Sequence, residues 1–236
     1  MIATYKVLSA LLSYPTAELQ TVTRQMNLAL HAERLLPPQH RAAVGALIDE
    51  IATSDLLDIQ ARYVDLFDRT RSLSLHMFEH VHGESRDRGQ AMVSLLERYR
   101  QAGLDVAQNE LPDYIPLFLE FLSTRPEADA RAHLAEPVHI FQALSERLRK
   151  RSSSYAAVLE ALVALAQTVP PKEVLEELRS QQMEDPMDFA ALDKAWEEAE
   201  VRFGPGDAAA GDCPRASDML RRMQVPSDKF PAGGKA

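Results

Sequence analysis

A single cysteine, Cys213, stands in 236 residues. No internal disulfide can therefore form, and such sparing use of thiols fits a reducing compartment. Aromatic residues make up 6% of the chain and there are nine glycines, which offers little to a sheet. No run alternates at period two, and no glycine-rich strand–turn–helix unit is present to cradle a nucleotide. Long hydrophobic runs are missing as well. The most apolar stretch, Tyr155–Ala166, is interrupted by Glu160 and falls short of the roughly 18–20 residues a membrane span requires. The opening MIATYKVLSALLSYP is broken by Ser9, Ser13 and Tyr14, unlike the uniform core of a secretory signal. A basic excess is lacking too: 26 Lys and Arg against 35 Asp and Glu give a formal charge of −9. Nucleic-acid and phosphate binding need clustered cations, so this balance weighs against both and suits a basic partner. The expectation is a cytoplasmic protein that inserts in no membrane.

What is present favours helix. Ala, Leu, Glu, Gln and Arg dominate, and 46% of residues are hydrophobic, enough for one sizeable core. Asp55 is placed to cap a helix whose Leu56, Ile59, Tyr63, Leu66 and Phe67 share one stripe. Ser85 is placed to cap another, with Met92, Leu95, Leu96 and Tyr99 on one face. Gly103 ends that helix, and Leu104 follows where a terminating turn packs an apolar residue. A third helix is expected from near Pro112, bent at Pro116. Further amphipathic stretches fall at 2–13, 16–32, 39–53, 130–150, 155–168, 171–181 and 187–201. The predicted architecture is all-α, a single bundle of about ten helices over residues 1–203. From Gly204 glycine, proline and alanine abound and apolar spacing is lost, which predicts a disordered tail over 204–236. That tail holds five basic and four acidic residues, leaving 21 and 31 for the body, a net −10.

The densest cluster of reactive side chains is HMFEHVHGESRDRGQ at 76–90. His76, Glu79 and His80 spell H-x-x-E-H, a zinc-hydrolase pattern, but no partner motif supplies a third ligand. His80 and His82 could share a metal only on an extended chain. Gly83-Glu84-Ser85-Arg86-Asp87 is one residue from a nucleophile elbow, which needs a strand that a helical chain does not supply. Neither a catalytic residue nor a metal site is assigned, and the protein is expected not to be an enzyme. The remaining use is recognition from a polar segment between helices, with Arg86, Asp87 and Arg88 free to pair with Glu79 and Glu84 and order it.

The string from Phe78 to Met92, FEHVHGESRDRGQAM, resembles the signature of the respiratory nitrate reductase molybdenum cofactor assembly chaperones, the NarJ type within the TorD-like molybdoenzyme chaperones. The flanking YVDLFDR at 63–69 and ELPDYIPLFLEFL at 110–122 agree in order and spacing, as do LLSYP at 11–15 and Trp196-Glu197-Glu198. Tyr114 stands where the pattern more often has histidine. The resemblance implies an all-helical chaperone that binds the N-terminal segment of the apo catalytic (alpha) subunit of membrane-bound nitrate reductase. It also implies that the chaperone assists insertion of molybdopterin guanine dinucleotide without stably binding a cofactor, delays membrane docking and leaves the finished enzyme. On that basis Tyr63, Phe67 and Phe78 are candidates for apolar peptide contacts. Asp68, Glu79, His80, His82, Glu84, Arg86, Asp87, Arg88, Asp113 and Tyr114 are candidates for polar ones. A zinc-dependent hydrolase and a structural subunit of a larger complex are the competing readings.

Overall fold

The computed structural model describes residues 1–81, 86–107 and 110–180, and the side chains of Arg86 and Asp87 are not among the described features. The expected helix at 187–201, the Ser85 cap and the tail from Gly204 lie outside these residues. Eleven α-helices fill the described chain: α1 Ala3–Leu12, α2 Ala17–Glu33, α3 Pro38–Thr53, α4 Leu56–Tyr63, α5 Met77–Val81, α6 Arg86–Gln101, α7 Ile115–Ser123, α8 Glu127–Ala135, α9 Val138–Lys150, α10 Ala156–Ala166 and α11 Lys172–Ser180. No strand occurs among the described residues, only an isolated antiparallel bridge between His76 and Tyr114.

Caps and stops fall where local chemistry puts them. Asp55 accepts a bond from the Leu57 N–H at 2.8 Å. Thr16 does the same for Leu19 at 3.3 Å, starting α2. Gly103 takes a positive φ of 75°, and the Leu104 N–H returns to the Tyr99 carbonyl at 2.9 Å, closing α6 as a left-handed glycine allows. The start of α1 has no cap of its own. Glu33, from the far end of α2, accepts from the Ala3 and Thr4 N–H groups at 2.6 and 2.7 Å.

Three expectations are corrected. The helix after Pro112 begins only at Ile115, so Pro116 sits in its first turn, where its missing N–H costs no backbone bond. The stretch 130–150 is two helices, because Pro137 cannot donate to the preceding turn and starts α9 afresh. The segment around Phe78, expected to lie exposed between helices, contains α5 and a buried His80. A wide turn over Val64–Asp68, closed by the Arg69 N–H on the Val64 carbonyl at 3.1 Å, extends α4. A 3₁₀ turn at Arg71–Leu73 follows.

The apolar faces meet in one core. Tyr5, Leu8, Leu11 and Leu12 of α1 are buried, as are Ile115, Phe118, Leu119 and Leu122 of α7, the helix against which α1 packs. α10, apolar on nearly every side, packs against α9, α3 and α8, the central place such a helix must take. Of the α4 stripe, Ile59, Tyr63, Leu66 and Phe67 are buried.

Candidate functional site

Asp113 organises the signature segment. Its carboxylate is fully buried. Leu75–Met77 runs beside Asp113–Ile115, with the Met77 N–H on the Asp113 carbonyl at 3.0 Å and the Ile115 N–H on the Leu75 carbonyl at 2.9 Å. The Asp113 side chain then accepts from the Phe78 N–H at 3.1 Å, and its other oxygen lies 3.3 Å from His76 Nδ1. A carboxylate from a distant loop thus caps the start of α5, where helix geometry leaves N–H groups unpaired and the dipole favours negative charge. The loop itself is pinned by the Tyr99 hydroxyl, which donates to the Pro112 carbonyl at 2.8 Å.

On the other side of α5, His80 Nε2 lies 2.8 Å from the Ser74 carbonyl. A carbonyl only accepts, so this nitrogen carries the proton. Burial pushes the His80 pKa down; the Ser74 bond pulls it up, and the nearby Arg147 guanidinium adds to the depression. Arg147 is itself buried. It donates to the Ser72 carbonyl at 2.7 Å and the Leu178 carbonyl at 2.6 Å, tying the 3₁₀ turn and the end of α11 to α9. In the H-x-x-E-H pattern His80 is buried with its Nε2 committed to the Ser74 carbonyl, a supporting role in the packing of α5. Among the described residues no group of three or more His, Cys, Asp or Glu is arranged to hold a metal ion.

Against this frame lies a groove of about 300 Å³. Met77, Phe78 and Val81 of α5 form one side, with Ala91, Ser94, Leu95 and Arg98 of α6 alongside. Phe118 of α7 contributes from the core. The opposite side is the corner where α8 meets α9: His133, Glu136, Pro137, His139 and Ile140. The lining is mostly aliphatic and aromatic, with Val81 46% exposed at the mouth. Arg98 donates to both carboxylate oxygens of Glu136, at 3.2 and 3.0 Å, and His133 Nδ1 is 3.7 Å from Glu136. Burial lowers the pKa of His139.

The candidate residues divide among several places. Phe78 lines the groove. Glu79 pairs with Arg88 at 3.2 Å, linking α5 to α6. His80 and Asp113 are buried supports and present no surface. Tyr63 and Phe67 are in the core. The Tyr63 hydroxyl donates to the Leu12 carbonyl at 2.9 Å, and its ring packs on Phe67 with centroids 4.9 Å apart. Tyr114 is half-buried against the His76 ring at 5.3 Å, with its hydroxyl 3.4 Å from that of Tyr63. Asp68 is exposed, and partial desolvation raises its carboxyl pKa. His82 and Glu84 lie outside the described residues, as do the side chains of Arg86 and Asp87. Leu95 and Phe118 were legible as buried faces of their helices. Arg98, His133, Glu136, His139 and Ile140 carry no local signal, because only the tertiary fold brings α6 to the α8–α9 corner.

The described residues thus form an all-helical fold with an apolar groove between α5, α6 and the α8–α9 corner. The family model described as nitrate reductase delta subunit matches residues 15–161, and the chain belongs to that family. Among similar proteins is the nitrate reductase molybdenum cofactor assembly chaperone NarJ of Escherichia coli (strain K12), 43% identical over 208 residues, or 86% of this chain and 87% of that protein. The probable nitrate reductase molybdenum cofactor assembly chaperone NarW of the same strain is 41% identical over 174 residues, or 73% of this chain and 74% of its own. A probable NarJ of Bacillus subtilis (strain 168) is 28% identical over 173 residues, covering 73% of this chain and 93% of its own. These relatives are named as assembly chaperones and not as catalysts. The crystal structure of a putative redox enzyme maturation protein from Archaeoglobus fulgidus matches 71% of this chain and 94% of its own at 21% identity and a TM-score of 0.46, too distant a likeness to add to the fold described above.

Proposed function

We propose that this chain is a chaperone for assembly of membrane-bound respiratory nitrate reductase. In this reading it holds the N-terminal segment of the apo catalytic subunit while the molybdenum cofactor is inserted, and it releases the subunit before membrane docking. The names of the relatives support the chaperone role and nitrate reductase as the client. The observation that carries the choice of site is the apolar groove beside α5. An amphipathic helix can lay residues spaced i, i+3, i+4 and i+7 into such a trench. The chain acts by binding alone and holds no cofactor of its own. The acidity of the protein suits a basic client segment.

Calorimetry with a synthetic peptide from the N-terminus of the catalytic subunit tests the reading. Binding is expected at tens of micromolar or tighter, and absence of heat there overturns it. Val81→Asp puts a charge at the mouth of the groove without disturbing the core, and it should weaken binding roughly tenfold or more, since the peptide would have to desolvate an unpaired carboxylate. Unchanged affinity would move the site elsewhere on the molecule.

A further inference from the structure

One ion pair in the groove joins elements far apart in sequence. Arg98, on α6, reaches Glu136 at the end of α8, with both carboxylate oxygens engaged. Both residues belong to the groove lining. The two side chains are 45% and 59% exposed, so the pair is open to solvent at the rim, where such pairs add little to fold stability. Glu136 is the one carboxylate among the described lining residues, and His133 lies beside it at 3.7 Å. The rest of the lining is apolar or, at Ser94 and His139, polar without a carboxylate.

A basic amphipathic helix seated with its apolar face on Phe78, Leu95, Phe118 and Ile140 would carry a cation along its flank at the rim. It would meet a carboxylate already occupied by a resident guanidinium. We infer that Glu136 selects a Lys or Arg of the client segment, and that Arg98 is a placeholder which yields the carboxylate when the client seats. This deepens the proposed function and rests on it. The occupant it commits to is a basic segment, chosen because the groove offers the Glu136 carboxylate at its rim and the whole chain carries a charge of −9. With the groove empty, the placeholder also neutralises that carboxylate.

The placeholder model gives the two partners of one ion pair opposite effects. Calorimetry would use the full chain with the N-terminal peptide of the catalytic subunit, and with the same peptide carrying Gln in place of its Lys and Arg residues. Arg98→Ala removes the internal competitor and should tighten the basic peptide roughly two- to five-fold, the range an exposed pair can supply. Glu136→Gln should weaken it by a similar factor. The Gln-substituted peptide should ignore both changes. Arg98→Gln, with circular-dichroism melting of every variant, guards against a folding defect. If Arg98→Ala and Arg98→Gln leave affinity unchanged or lower it in folded protein, the placeholder is overturned. If the wild-type chain binds neither peptide, the client reading itself fails, a distinct result.

Discussion

Among the described residues the Asp113 carboxylate meets the Phe78 N–H and the His76 ring, and the first of these starts α5. Asp113→Ala should therefore cost about 1–3 kcal/mol, because it orphans a helix-start N–H beneath the signature segment. Asp113→Asn keeps an acceptor oxygen and should cost less. Urea unfolding at neutral pH measures both, and equal losses would mean that packing of the side chain matters more than the cap. Asp113 could be named a candidate only because ELPDYIPLF resembles a family string. Spacing could not have found it, since its partner Phe78 lies 35 positions away. Phe67 shows the opposite case: its place on the α4 stripe already marked it as a core residue, and its burial follows from helical periodicity.

Among the elements, those with their own start, stop and stripe were readable, and those held by tertiary contacts were not. α4 has Asp55 and α6 has Gly103. α5 is five residues long and lacks the length to be stable by itself; it exists because Asp113 caps one end and His80 is fastened to Ser74. The break between α8 and α9 was obscured because apolar spacing continues across Pro137, although the proline alone was reason to divide them. α11 adds only Leu175 and Leu178 to the buried set, so its attachment leans on the buried Arg147, the exposed Arg179–Glu146 pair adding little. Arg147→Met keeps most of the apolar stem but strips the Ser72 and Leu178 carbonyls of a donor. It should cost about 2–3 kcal/mol, and amide exchange should quicken in α11 and the Arg71–Leu73 turn before the rest. Uniform acceleration across the molecule would show that the arginine serves the global core and not these two elements.

For the whole molecule, net charge and groove chemistry point to different parts of one binding event. The chain is strongly acidic, yet among the described residues the groove lining has a single carboxylate, already paired. Long-range attraction should therefore govern how fast a basic client arrives, and the apolar lining how long it stays. Salt separates the two. The Debye length falls from about 8 Å at physiological ionic strength to about 3 Å at 1 M, which screens the field of the body but does not weaken burial of apolar side chains. Stopped-flow binding of the basic peptide across that range should show association slowing several-fold while dissociation changes little. The calorimetric affinity should then fall modestly and level off, because the apolar contribution remains. If instead dissociation accelerates as much as association slows, charge contacts such as that expected at Glu136 hold the client, and the trench of Phe78, Phe118 and Ile140 serves only to shape it.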